Sequence, residues 1–244
     1  MRKLFLYIAL FIGFCQTMSA NIIFVKYDSN GLNNGISWLD AFKDLRDAMC
    51  TAQPGDEIWV AEGEYSPYVS PIPFPQVDTV NTYRMPSGVK LYGGFYGTET
   101  ELFQREGGPG LTFITFSTRN LINCEDTDTS TLIDGFTFRG GAADIPFWQV
   151  NDIFCWDSPN QAICHGGAIY LHSNNPQKPT FLTIRECRFE YNAARYGGAI
   201  AAELSTGDGG LRLEKCHFEA NTAGHEGSGG ALYVYTSPNY VFPM

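Results

Sequence analysis

GGAI at residues 197–200 is the middle copy of a phrase that occurs three times; the other copies are GGAI at 166–169 and GGAL at 229–232. Their first glycines are 31 and 32 residues apart. A second phrase alternates with them, because CRFEYN at 187–192 returns 29 residues later as CHFEAN at 216–221. A fixed period of this length is typical of a stacked repeat array, in which each unit buries its apolar face against its neighbours. The repeat predicts an architecture and leaves the chemistry open.

One repeat unit has the pattern of a strand followed by an asparagine corner. Between Leu182 and Phe189 apolar and polar residues alternate, with one irregular step near Glu186, which is typical of a strand with one buried face. Asn192 occupies the next corner, because asparagine tolerates a left-handed backbone and its amide reaches the corners above and below. The glycine pair then opens the next strand without a Cβ in the way. The residues that define the repeat are Gly166, Gly167, Phe189, Asn192, Gly197, Gly198, Phe218, Asn221, Gly229 and Gly230.

Short β-rich runs between glycine and asparagine corners continue from residue 57 to the end, which predicts an all-β region over 57–244. Two stretches interrupt it and are expected to loop out: 66–86, which contains five prolines, and 142–163. The second loop carries Trp148 and Trp156 among polar residues. Exposed rings beside polar groups suit sugar or protein binding, so these tryptophans are candidate binding residues. The alternative is that they pack the loop onto the wall behind it.

Residues 21–56 are predicted to form an N-terminal strand and an amphipathic helix. Ser37 is the expected N-cap, with Asp40 three residues later, and apolar residues recur on one face from Trp38 to Met49. Pro54 and the following glycine end the helix. A helix at this position would cap the open end of a repeat array, where apolar core and strand edges are otherwise exposed.

Residues 1–20 have the features of a signal peptide. Arg2 and Lys3 precede a mostly apolar run, and small residues around Ala20 offer a cleavage site. Export is therefore expected. No later segment has about 18 consecutive apolar residues, so no transmembrane segment is expected in the mature chain.

The charge of the chain excludes some partners. The formal net charge is −10, and removing Arg2 and Lys3 makes it −12. Such a charge repels phosphate backbones and anionic lipid, so nucleic acid is not an expected partner. A surplus of carboxylates suits a secreted protein in a calcium-rich medium.

The paired GGAI and FxxN motifs resemble the repeat of the chlamydial polymorphic outer-membrane proteins. Phe189 with Asn192 and Phe218 with Asn221 match FxxN, and Leu232 replaces isoleucine in the third glycine phrase. The sequence FRGG at 138–141 is a degenerate earlier copy with glycine where asparagine is expected. The resemblance implies a right-handed parallel β-helix solenoid of the pectin-lyase-like type, with the N-terminal helix as its cap.

The N-terminal part is similar to the opening of large β-helix proteins exported by Gram-negative bacteria. The matching stretches are 31–45, 55–65 and 91–100. This resemblance implies a secreted or outer-surface location. The chain stops just after a repeat begins, and the expectation is that it is a truncated copy of a longer protein, which as a fragment would have no function of its own.

Candidate metal and redox residues are few. Asp126 and Asp128 share one face if the segment is extended, which makes them the candidate calcium ligands, although a solvated turn has the same composition. No other cofactor is expected. Cys155 and Cys164 flank a loop and form the candidate disulfide. Cys187 and Cys216 occupy equivalent repeat positions; a bridge between them fits strand spacing, but two buried thiols are preferred.

The leading functional hypothesis is a non-enzymatic, adhesin-like scaffold at the cell surface that binds an extracellular glycan or protein. The identifiable residues all serve stacking, and long stacked faces suit extended partners. The alternative is a polysaccharide lyase or glycoside hydrolase, which rests on the fold alone. Arg139, Arg185 and Arg188 would serve as catalytic bases only if they met carboxylates across the repeats, and no catalytic residue is assigned.

Overall fold

A computed structural model describes residues 20–67, 81–143, 164–175, 178–204 and 208–236, with the backbone alone at 225 and 226. Within these ranges the chain is almost entirely strand. The strands are β1 Ile22–Val25, β2 Glu57–Ala61, β3 Gly63–Tyr65, β4 Tyr83–Arg84, β5 Lys90–Phe95, β6 Thr112–Ser117, β7 Ile122–Glu125, β8 Leu132–Asp134, β9 Thr137–Ala143, β10 Ile169–His172, β11 Phe181–Arg185, β12 Arg188–Glu190, β13 Ala193–Tyr196, β14 Ile200–Leu204, β15 Gly210–Glu214, β16 His217–Glu219, β17 Thr222–Ser228 and β18 Leu232–Thr236. Two short 3-10 helices, Leu102–Gln104 and Gly108–Gly110, and one α-helix, Leu45–Thr51, complete the description.

The strands form three sheets, and every pairing between the described strands is parallel. The first sheet has the order β1-β2-β5-β8-β11-β15, and the second has the order β4-β7-β10-β14-β18. The third sheet is built on β9, which pairs with β6, β12 and β13, while β3, β16 and β17 extend it. The chain visits the three sheets in turn, so each layer of strands lies on the one before it. The prediction of an all-β chain is confirmed, and its stacked parallel sheets are compatible with a solenoid of the β-helix kind.

Residues 29 positions apart face each other in the last two layers. Phe181 lies opposite Gly210 in the first sheet, and Arg188 lies opposite His217 in the third. The rings of Phe189 and Phe218 stack with centroids 4.9 Å apart, and those of Phe138 and Phe189 stack at 5.0 Å. Burial of a phenylalanine side chain stabilises a fold by about 1.5–3 kcal/mol, so this column of rings is a substantial part of the core.

The asparagines beside the phenylalanine column form a second column. Asn192 is fully buried, and its amide nitrogen donates to the carbonyl oxygen of Phe138 and to Oδ1 of Asn221, both at 3.0 Å. Its Oδ1 accepts from the backbone N–H of Gly141 at 3.0 Å. Asn221 repeats the pattern by donating to the carbonyl of Phe189 at 2.8 Å. Gly141 stands where the earlier repeat lacks an asparagine, and its N–H serves as the partner instead.

The two glycines of the GGAI phrase have different structural reasons. Gly197 has φ of +66°, a left-handed conformation that favours glycine. Gly198 has no such φ, but a Cβ there would meet backbone oxygens of the next layer, those of Gly230 and Thr222. The first glycine is thus required by the turn and the second by the close approach of neighbouring layers.

The N-terminal helix is shorter than predicted, and the expectation that it begins at Ser37 is wrong. It begins at Leu45, with Asp44 as N-cap accepting a hydrogen bond from the backbone of Arg46. Ser37 does accept from the backbone N–H of Asp40 at 3.1 Å, but no helix follows it. The reason is tertiary: the backbone of Phe42 exchanges hydrogen bonds with β1, which holds this stretch extended.

Other boundaries also differ from the sequence expectations. The proline-rich loop predicted over 66–86 contains β4, which pairs with β7 through Tyr83 and Arg84. Residues 142 and 143, predicted to begin the second loop, belong to β9. The buried side chains of the helix, Leu45, Ala48 and Met49, join the same core as the sheets. Its role as a cap over the first layer stays a prediction.

Candidate functional site

The outer side of the second sheet carries a concentration of aromatic side chains. Residues that point into the core, such as Ile169 and Leu171 on β10, alternate along each strand with residues on the outer side. We call the outer cluster the tyrosine face. It consists of His165, Tyr170, His172, Tyr196, Glu203, Tyr233 and Tyr235.

The rings of the tyrosine face are in mutual contact. His165 stacks on Tyr170 at 5.2 Å and on Tyr196 at 5.0 Å between ring centroids. Tyr233 lies 5.2 Å from Tyr196 and 5.5 Å from Tyr235. His165 and Tyr170 are buried, whereas Tyr196, Tyr233 and Tyr235 are half-exposed. The face therefore has a fixed base and an accessible rim of three tyrosines.

Ala201 lies at the centre of this arrangement. The strand register places it between Tyr170 on β10 and Tyr233 on β18. A small residue between two tyrosines on neighbouring strands leaves space above it, and Ala201 is nevertheless fully buried. The surrounding rings therefore close over it and complete a continuous aromatic surface.

Glu203 supplies the negative charge of the face. Its Oε2 accepts a hydrogen bond from the hydroxyl of Tyr170 at 2.9 Å. Burial raises the pKa of Tyr170 well above its ordinary value, and the neighbouring Glu203 raises it further. Burial and Glu203 also raise the pKa of Tyr235. Both phenols thus stay protonated and serve as hydrogen-bond donors to one carboxylate.

A polar group continues the face on its other side. His172 stacks on Tyr170 at 4.5 Å, and its Nε2 lies 3.0 Å from Oδ1 of Asn123. Glu125 lies opposite His172 in the strand register, and Arg84 approaches Glu125 at 3.7 Å. The arrangement presents donors and acceptors next to flat rings, which is the chemistry that ligand recognition uses.

Burial of His172 makes the stability of the protein depend on pH. Desolvation lowers the pKa of His172, and the opposing attraction of nearby Glu125 is smaller. The unfolded chain therefore binds a proton at a higher pH than the folded chain, and stability falls as pH decreases through about 6.5, the ordinary pKa of histidine. We expect the His172→Gln variant to lose less stability than the parent between pH 7.5 and 5.5 in urea titrations. An identical slope in both proteins would contradict this assignment.

Part of the predicted binding and disulfide set lies outside the described residues. This is so for Trp148, Trp156 and Cys155, so the binding role of the tryptophans stays a prediction. Cys164 is disulfide-bonded, while Cys187 and Cys216 are free. Burial raises the pKa of Cys187, and the thiol behaves as part of the core. The predicted signal peptide, residues 1–20, is outside the description except for Ala20.

The predicted calcium ligands face different partners. Asp126 accepts from the hydroxyl of Ser173 at 2.5 Å, whereas Asp128 accepts from the backbone and hydroxyl of Ser130 at 2.9 and 2.7 Å. These bonds lower the pKa of Asp128 despite partial burial. Across the described ranges, no group of three or more histidine, cysteine, aspartate or glutamate side chains is placed to hold a metal ion.

Two of the three candidate arginines do meet carboxylates across layers. Arg139 pairs with Glu190 at 2.7 Å, and Arg185 pairs with the fully buried Asp134 at 2.5 Å. Arg105 binds the other oxygen of Asp134 at 2.7 Å and lies over the ring of Tyr92. Burial, its largest cause, raises the pKa of Tyr92 to about 12. These contacts hold layers together and leave no open position for a substrate.

The tyrosine face was missed by sequence reasoning. Tyr170 and Tyr233 each follow a glycine phrase, but the middle copy has Ala201 in that place, which hides the column. His165 looked incidental because it precedes the glycine pair. The available signal was the tyrosine that immediately precedes GGAI at Tyr196, since it must lie beside the next strand.

Comparisons with protein-family models, with curated proteins and with solved structures found no match to this chain. Among the described residues, no helix has both the length and the apolar character needed to cross a membrane.

Proposed function

We propose that this protein is an adhesin-like, non-enzymatic scaffold of the cell surface or extracellular space, and that it binds an extracellular glycan through the tyrosine face. In this proposal the stacked sheets form a right-handed parallel β-helix of the pectin-lyase-like type. The repeat motifs support that finer assignment through their resemblance to the chlamydial polymorphic outer-membrane proteins.

The observation that carries the binding role is the rim of three half-exposed tyrosines beside Glu203. Flat rings pack against the apolar faces of sugars, and adjacent carboxylate and phenol groups bond to their hydroxyls. Tyrosine supplies large contact area at small cost in side-chain entropy, which is why it is enriched where proteins bind partners. The rings are already held by mutual stacking, so little ordering is required on binding.

We expect Tyr233→Ala to weaken glycan binding about tenfold or more, because a central aromatic anchor contributes more than about 1.4 kcal/mol to binding. The measurement is a glycan array followed by calorimetry on residues 21–244, with calcium and with chelator, since the calcium site at Asp126 and Asp128 stays a prediction. Tyr96→Ala is the matched control, because Tyr96 is exposed and lies outside the tyrosine face. Equal losses in both variants would overturn the proposed site, and binding only of proteins would replace the glycan with a protein partner.

A glycoside hydrolase is the second candidate, and one observation favours it. Glu125 and Glu203 lie on the strands to either side of His172, since Leu171 pairs with Cys124 and Ala202. Two strand spacings place their backbones about 10 Å apart, near the upper limit of the carboxyl separation in inverting hydrolases, about 9.5 Å. Glu203 is held by Tyr170 and Glu125 by Arg84, which favours binding over catalysis. Release of reducing ends that Glu203→Gln abolishes would establish the enzyme.

A further inference from the structure

A second surface feature lies away from the tyrosine face, at the corner between the first and third sheets. It is a cleft of about 390 Å³. We call it the corner cleft; its lining residues are Pro109, Glu186, Cys187, Arg188, Lys215 and His217. Cys187 is buried and forms its floor, while Arg188, Lys215 and His217 belong to the last two layers and are exposed.

The position of the cleft follows from the register of the layers. Arg188 lies between Thr137 on β9 and His217 on β16. Pro109 covers Thr137, whose hydroxyl donates to the proline carbonyl at 2.6 Å. The covering segment ends there, so Arg188 stands at the edge of the covered area with open space beside it.

Arg188 has no partner within the described residues: it makes no ion pair and its side chain no hydrogen bond. Arg185, on the other side of the corner residue Glu186, uses its Nε for Asp134, and no hydrogen bond of its two terminal nitrogens is recorded in the described part of the chain. A guanidinium presents its donors in a planar fork that matches an oxyanion. The corner thus holds unused donors of the type that binds carboxylate or sulfate.

The charge around the cleft is opposite to that of the protein. Glu186 is bonded by Lys215 at 3.0 Å, and Lys215, Arg105 and Arg185 all contribute to lowering its pKa. Four cationic side chains thus surround two carboxylates, those of Glu186 and Asp134, for a local charge of +2, while the chain as a whole carries −10. An isolated positive cleft on an acidic protein focuses the field on one place, which draws an anionic ligand to it.

We propose that the corner cleft is a binding site for an oxyanion group, carboxylate or sulfate, carried by an acidic polysaccharide. Arg188 is the principal contact, Lys215 and Arg185 add charge, and the proline and cysteine walls accommodate the sugar ring that carries the group. This site is separate from the tyrosine face and does not depend on it.

The test measures binding of dextran sulfate, hyaluronan and neutral dextran to residues 21–244 at 50 and 300 mM salt. We expect one of the two acidic polymers to bind and neutral dextran not to bind, with affinity decreasing at the higher salt because charges are screened. Dextran sulfate alone would identify sulfate as the group, and hyaluronan alone would identify carboxylate. Binding of neither acidic polymer by the folded protein at the lower salt overturns the proposal.

Two variants locate the site. Arg188→Gln is expected to weaken binding about tenfold or more, since a charge-assisted hydrogen bond contributes about 1.5–3 kcal/mol. Glu186→Gln removes a competing carboxylate and is expected to strengthen binding. Lys178→Gln is the control, because it removes the same charge from an exposed residue at a different corner. Equal weakening by Arg188→Gln and Lys178→Gln would show a general charge effect and no site.

Discussion

Gly198→Ala is expected to lower the free energy of unfolding by about 3 kcal/mol or more. A methyl group at this position would lie 2.5 Å from the carbonyl oxygen of Thr222 and closer still to that of Gly230. Both obstacles are backbone atoms of the neighbouring layer, so they cannot rotate away as a side chain would. The layers must separate locally, and hydrogen bonds such as that from the Gly198 N–H to the Gly229 carbonyl are strained or lost.

Urea unfolding followed by circular dichroism measures this loss. The matched control is Gly110→Ala, because a Cβ at Gly110 has no atom within 4 Å and the residue has no left-handed φ. It is expected to stay within about 0.5 kcal/mol of the parent, as is usual for surface substitutions. Similar midpoints for both variants would mean that the second glycine of the phrase is not set by the approach of layers.

Asn192→Ala is the second substitution with a large expected effect, a loss of about 2–5 kcal/mol. The variant leaves the buried N–H of Gly141 without its acceptor and removes the donor to the Phe138 carbonyl. A buried polar group left without a partner costs about 1–3 kcal/mol, and the missing side chain adds a small cavity. The amide also joins two layers through Asn221, so both are weakened at once.

Asn221→Ala provides the comparison for this prediction. Asn221 bonds to the Phe189 carbonyl in the same way, but it is only half-buried and water can replace part of what is lost. Its loss is expected to be less than half that of Asn192→Ala in the same urea titration. If the two substitutions cost the same, burial of the column is not what makes the asparagine valuable.

The repeat was readable because it is periodic. Phenylalanine, asparagine and the glycine pair recur at one spacing, and each residue type has a physical reason that the sequence alone supplies. The start of the helix was not readable, since the capping pattern at Ser37 is genuine as a local hydrogen bond. The exchange of backbone bonds between Phe42 and β1 overrides it, and a contact over that distance leaves no local signal.

The candidate sites were less predictable than the fold for the same reason. Tyr170, Tyr196 and Tyr233 meet only after three layers are stacked, and their spacing in the chain differs from the repeat. The partner of Asp134 was equally hidden, because Arg105 reaches it from a covering segment that belongs to no repeat. Acidic residues clustered in sequence, such as Asp126 and Asp128, turned instead toward separate neighbours.

Each strand of the last layer finds its partner a short way along the chain, as Phe181 does with Gly210. The loop closed by each such pairing is small for a parallel sheet, so any two adjacent layers suffice to start folding and each later layer forms on an existing template. Unfolding runs in reverse. The layer of β15–β18 keeps Leu211, Leu213 and Phe218 half-buried and detaches at lower cost than the layers enclosed on both sides. Order is therefore gained and lost layer by layer along the stacking axis.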